Sequence, residues 1–339
     1  MNISSRRFSL ALFCLGLAAP AFAASAPTYK LLKEIPVGGD GGWDYLSIDP
    51  AAHRLYVSHG SVVIVIDTAT NTVVGKIEDT PGVHGLAVAS DLKKGFSTNG
   101  SENKSSVVDL TTLKTLTKVD TGQGPDGMLY DPGQHEVYTF NGRGQSATVI
   151  DAKTNAVVAT VPLGGRPESG AADPKVGRVF DNIESTSEVV AIDTKAHKVV
   201  NRWPIAPGEG ASGMAIDTEH QRLFLGAGGT NTMVMFDYVN GKVVDSVPIG
   251  QGVDANAFDP GLQLAFASSG DGTVTIAHED SPSKLTVVQT LKTENRARTL
   301  TLDPTTHRIY LGSAQFVGGG GRGGTTVPGS FKILVYGIE

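Results

Sequence analysis

The chain has 339 residues, 40% of them hydrophobic and 18% charged, with 42 glycines and 17 prolines. That is too much apolar residue for a disordered chain and too much glycine for a helical one. A net charge of −6, with no basic run to offset it, argues against nucleic acid as a partner.

The first element in chain order is a leader. Arg6 and Arg7 precede an apolar run from Phe8 to Ala19, and Ala21-Phe22-Ala23 has the small-x-small form of a cleavage site. This reads as a secretory signal peptide over residues 1–23, leaving 24–339 as the mature domain, periplasmic or secreted. Ser5-Arg6-Arg7 resembles part of a twin-arginine signal, although Phe8 stands one place early, so the export route stays open between Sec and twin-arginine. The apolar run is too short for a membrane span, and no later stretch is a candidate. Cys14, the sole cysteine, falls inside the leader. The mature chain therefore offers no disulfide, no thiolate metal site and no cysteine nucleophile, and its net charge becomes −8 once Arg6 and Arg7 are lost.

The mature chain opens with YKLLKEIPVG (29–38), and from there it repeats itself. VIDTATNTVV (65–74) returns as VVDLTTLKTL (107–116), VIDAKTNAVV (149–158), AIDTKAHKVV (191–200) and MFDYVNGKVV (235–244). A second phrase starts at an Asp, usually Asp-Pro, and reaches an aromatic seven residues on, as in DPAAHRLY (49–56) and DPTTHRIY (303–310). Its aromatics are Tyr56, Phe96, Tyr138, Phe180, Phe224, Phe266 and Tyr310, seven repeats of 40 to 44 residues. Within the repeat around Tyr138, GMLYDP, EVYTF, ATVIDA and AVVATVPLG are short apolar or β-branched runs separated by turn residues. Four strands at this period predict a blade of a propeller. The fold expected is all-β: a seven-bladed β-propeller of four-stranded antiparallel blades. FKILVYGIE at the end supplies only a third strand, so the N-terminal strand is expected to complete the last blade and seal the ring.

VIDAKTNAVVATVPLGGRPESGAADPKVGRVF resembles the repeat of the YVTN family of bacterial β-propellers, and the resemblance extends over essentially the whole mature chain. The naming tetrapeptide survives in part as Tyr56-Val57-Ser58-His59. The resemblance implies a propeller that is exported or surface-located, and it implies no particular activity.

In such a blade the repeated Asp residues are turn builders, since Asp and Asn bond their own backbone. His53, His135, His220 and His307 follow the turn Asp by three or four residues and read as structural in the same way. Chemistry is expected where the repeats disagree. The residue five before each turn Asp, at the start of the innermost strand, reads Asp44, His84, Asp126, Glu168, Ser212, Asp254 and Arg298 around the ring. Six of the seven are ionisable, at the position that rims the central channel. Four carboxylates round one mouth repel one another unless protonated or neutralised by a cation, by Arg298 or by a basic ligand.

His59 ends the second strand of the first blade and His84 begins the second blade, so the two are expected as neighbours. With Asp44 or Asp126 they would make a metal site for one divalent ion or an acid/base pair, with His59, His84 and Arg298 as catalytic candidates. Propeller channels are also wet, and polar residues lining one need no ligand. Trp43, flanked by glycines, would either stack on a ligand or plug the seam between first and last blades. Arg143, Arg166 and Arg296 are of the type that receives a carboxylate or phosphate. GGGGRGG (318–324) interrupts the last blade as a candidate flap carrying Arg322. No nucleotide fingerprint, Walker loop or zinc-protease motif occurs. The reading is a monomeric binding or scaffold protein taking a cation, small molecule or peptide at its acidic mouth. The alternative is a metal- or histidine-dependent lactonase or lyase at the same mouth.

Overall fold

The computed structural model describes residues 27–318 and 324–338. The expected leader and Arg322 lie outside the described residues. Seven four-stranded antiparallel sheets form a ring of blades. In the first six, successive strands pair in chain order outward from an innermost strand. Those innermost strands are Trp43–Asp49, Val83–Ala89, Pro125–Asp131, Pro167–Asp173, Ala211–Asp217 and Val253–Asp259. The seventh blade runs Leu300–Asp303, Arg308–Ser313 and Lys332–Gly337, and its outermost strand is the N-terminal Lys30–Pro36. Lys30 pairs with Gly337 and Pro36 with Lys332, closing the ring as the sequence predicts. Among the described residues no helix is long and apolar enough to cross a membrane.

The repeat phrases explain this architecture. All seven repeat aromatics are at most 2% exposed, each wedged between its own blade and the next. Phe224, for example, stacks on Phe258 with ring centroids 4.7 Å apart. Burial of such a side chain contributes about 1.5–3 kcal/mol. The repeated Asp residues work as turn builders: Asp67 Oδ1 accepts the amides of Ala69 and Thr70, and Asp151 Oδ1 those of Lys153 and Thr154. One position in the inner turn takes the left-handed conformation in every blade. It holds His53, Lys93, His135, Gly177, Gln221, Gln263 and His307. His53, His135 and His307 are therefore turn residues, whereas His220 stands one place before the left-handed position. The outermost strands face solvent and leave Val73, Val74, Val157 and Val158 exposed.

Candidate functional site

Each of the first six innermost strands shifts register at its first residues, at the rim itself. The irregularities fall between Trp43 and Leu46, Val83 and Gly85, and Pro125 and Met128, and likewise in the next three blades. A β-bulge re-aims the side chain it contains. Asp44, His84, Asp126, Glu168, Ser212 and Asp254 all sit within these bulges. Arg298 lies just before the shorter inner strand of the seventh blade. The rim is pinned from behind by small polar side chains. The Thr98 hydroxyl donates to the Asp126 carbonyl at 2.6 Å, and the Asn182 amide to the carbonyls of Ser212 and Gly213 at 3.3 and 3.0 Å. Ser268 holds the Arg298 carbonyl in the same way.

All seven aligned rim residues line one cavity of about 550 Å³, together with Tyr45, Arg166 and Glu184. Its charged lining comprises five carboxylates (Asp44, Asp126, Glu168, Glu184, Asp254) and three basic side chains (His84, Arg166, Arg298). His84 Nδ1 lies 2.7 Å from Asp44 Oδ2 and 3.2 Å from Asp126 Oδ1. Burial alone would lower the His84 pKa. Hydrogen bonds and charge from Asp126 and Asp44 outweigh it and push His84 up to about 10. At neutral pH it is an imidazolium clamped by two carboxylates, which makes it an acid or a positioning charge rather than a ready base. Burial, helped by the charge of Asp126, holds Asp44 above its ordinary value against the pull of the His84 bond.

Glu168 is pushed up to about 7, first by burial and then by Asp126, with Arg166 opposing. Arg166 Nη1 is 2.9 Å from Glu168 Oε1, and its other arm pairs with Glu184. Arg298 Nε is 3.1 Å from Asp254 Oδ2. The cluster Asp44–His84–Asp126 offers three ligand atoms within 4.8 Å of one another, a donor set of one imidazole and two carboxylates that suits a divalent ion.

Two predicted members are elsewhere. His59 does not join His84: it is 4% exposed and stacks on Phe331 with centroids 4.3 Å apart, and burial lowers its pKa. The reason is register. His59 occupies the place of Asn99 and Asn141, whose amides bond inside their own blades to Ser106 and Thr148, so this position points into the blade rather than the channel. Trp43 packs at the seam of first and last blades, 5.0 Å from Phe331 and 6.0 Å from Phe316, and lines a neighbouring cavity instead of the mouth. Of Arg143, Arg166 and Arg296, only Arg166 joins Arg298 at the mouth. Arg143 donates to the Gly100 carbonyl at 3.2 Å, and Arg296 lies 4.1 Å over the Phe316 ring.

Two residues were missed by the sequence reading. Tyr45 follows the first rim residue, at a position where the other blades carry Gly85, Gly127, Ser169, Gly213, Ala255 and Thr299. Small residues there let inner strands close up: a Cβ on Gly127 would stand 1.8 Å from the Glu168 carbonyl oxygen. Tyr45 instead lines both the mouth and a lower cavity of about 590 Å³. Burial and the surrounding carboxylates, Asp126 first, push its phenol far up, so it stays a neutral hydroxyl. Asp181 is fully buried and pushed well above the carboxylate range by burial and then by Glu168. Both are single departures from a repeated small or apolar position, which was the available signal.

No protein-family model and no curated protein sequence matches this chain. Among solved structures, the chain is similar to U3-55K, with TM-score 0.75 and 12% identity over 89% of this chain and 97% of that one. It is also similar to a chain of Kuenenia stuttgartiensis hydrazine synthase, with TM-score 0.52 and 16% identity over 70% of this chain and 95% of that one. At these identities the likeness is one of fold. The protein is a seven-bladed β-propeller.

Proposed function

We propose that this protein is an exported binding or scaffold propeller of the YVTN-repeat kind, whose channel mouth takes a cationic ligand. The observation that supports this reading is the excess of carboxylates around one bulge-positioned cavity, five against three basic groups. A charge excess in a recessed, partly dehydrated site draws a counter-charge more strongly than the same groups do on an open surface. A divalent ion would be held by Asp44, His84 and Asp126, with His84 giving up its proton on binding. An organic amine or a basic peptide end would instead leave the imidazolium in place and lie nearer Glu168 and Asp254.

The test is elemental analysis of protein purified without chelator or affinity metal, followed by calorimetric titration with Zn²⁺ and with small amines. The paired substitution Asp126→Ala and His84→Ala is expected to leave the folded circular-dichroism signature intact and weaken the cation on the order of 100-fold. Unchanged affinity in the folded double variant would overturn the reading.

A second reading, catalysis as a lactonase or lyase, is favoured by one observation. Glu168 is pushed up to about 7, the range in which a carboxyl both gives and takes a proton near neutral pH.

A further inference from the structure

On the face opposite the mouth, where the fifth blade meets the sixth, Asp217, His220 and Glu279 converge. In the first four blades the register of Glu279, marked by an amide bond to the carbonyl of the left-handed turn residue, holds Thr68, Leu110, Ala152 and Thr194. In the fifth blade it holds Tyr238, whose amide bonds the Gln221 carbonyl and whose hydroxyl donates to Asp173, the turn Asp of the preceding blade, at 2.7 Å. In the sixth blade the same register, fixed by the amide bond to the Gln263 carbonyl, belongs to Glu279, which reaches Asp217 of its preceding blade. Where the fifth blade supplies a donor to the turn Asp before it, the sixth supplies a second acceptor.

His220 does not resolve the conflict. Its Nδ1 lies 2.8 Å from Asp217 Oδ2 and 3.2 Å from Glu279 Oε1, yet it makes no hydrogen bond of acceptable geometry, and neither carboxylate oxygen of Glu279 has a hydrogen-bond partner. The Glu279 side chain is completely buried. An ionised carboxylate left so costs several kcal/mol. The three ligand atoms lie within 4.8 Å of one another; the 3.2 Å from His220 Nδ1 to Glu279 is close to the edge of a tetrahedron with bonds of about 2.0–2.2 Å, and the 2.8 Å to Asp217 would open on binding. One imidazole and two carboxylates suit Zn²⁺ and its first-row neighbours rather than Ca²⁺, which wants six or more oxygens.

We propose that Asp217, His220 and Glu279 bind one divalent first-row metal ion, best matched by Zn²⁺, which ties the fifth blade to the sixth. The site does not depend on the reading of the mouth. Its rival is a proton: burial and the charge of Asp217 push Glu279 up to about 7, so a shared proton would also relieve the two carboxylates.

The experiment uses the full chain carrying His84→Ala, so that the mouth cluster cannot hold the ion. After metal stripping and titration with ZnCl₂, this protein is expected to retain one Zn²⁺ per chain through gel filtration. Its unfolding midpoint should rise by about 5 °C at saturation. Adding Glu279→Gln, which keeps the shape and supplies a donor to Asp217, should abolish both effects. Adding His220→Ala, which leaves the acid pair in place, should do the same and serves where the glutamine variant does not fold. Failure of the His84→Ala protein to retain Zn²⁺, or retention undiminished by Glu279→Gln or His220→Ala, overturns the proposal. A Glu279→Gln protein more stable than its parent, with no zinc response in either, assigns the seam to a proton and overturns it too.

Discussion

The ring carries two clusters of the same composition, two carboxylates about one histidine, and they differ in almost everything else. At the mouth, His84 is a third exposed and its Nδ1 faces both Asp44 and Asp126 at hydrogen-bonding distance. At the seam, Asp217 and Glu279 are buried, and the carboxylate oxygens of Glu279 have no hydrogen-bond partner. The mouth cluster is made by three neighbouring rim residues, one from each of the first three blades, re-aimed by bulges. The seam cluster is made by two departures beside a turn Asp, a carboxylate where the preceding blade has a phenol and a histidine one place before the left-handed turn position. The same three groups thus become a charged, solvent-reachable site in one setting and a buried conflict in the other, according to the water left to them.

The largest effect expected from this contrast is on stability against pH. Glu279 has its folded pKa raised to about 7, above the ordinary glutamate value of the unfolded chain. The folded state therefore holds the extra proton between those values. In metal-free protein the resulting stability is present at low pH and lost as pH rises through about 7, by on the order of 3 kcal/mol. Urea midpoints at pH 5.5 and 8.5 should show about 2 kcal/mol of this fall, and Glu279→Gln should remove most of it. A wild-type profile flat across this window would break the contrast.

Next in size is His59→Ala. Loss of the ring stacked on Phe331 should cost about 2 kcal/mol while leaving cation affinity at the mouth unchanged, read by denaturant unfolding and calorimetry on one preparation. A weakened cation with full stability would return His59 to the site.

The smallest effect is at Glu168, neutral below about pH 7 and anionic above it. A cation at the mouth should bind roughly fivefold tighter at pH 8 than at pH 6, and Glu168→Gln should flatten that dependence. A lactone turned over by the wild type and not by this variant would shift the weight to catalysis.

The blade was legible because each repeat packs only on its neighbours, so its turn Asp residues and its wedged aromatic recur as local phrases. The rim was legible for the same reason: counting five back from each turn Asp, or from Ala89 in the second blade, finds seven of the residues that line the mouth. His59 was misplaced because what it meets, Phe331, comes from the last blade across the closure, and no local phrase announces it. The partnership of Arg166 with Glu184 depends on side-chain reach between loops. Glu279 escaped notice because the third and fourth strands of the sixth blade run to nine residues each, Thr273–Ser281 and Lys284–Lys292, and blur the alignment that sets it against Tyr238.

The clasp of the seventh blade has a mechanical consequence. Lys30 lies opposite Gly337 and Pro36 opposite Lys332, so residues 30 and 337 sit at the same end of one antiparallel pair. Tension applied to those two residues peels the ladder one hydrogen bond at a time instead of loading every bond in shear. The bond broken last is beside the ion pair of Lys332 with Glu34, whose partners are 298 residues apart in sequence and 3.0 Å apart in space. A ring closed by this pairing would thus open under a pull like a zip.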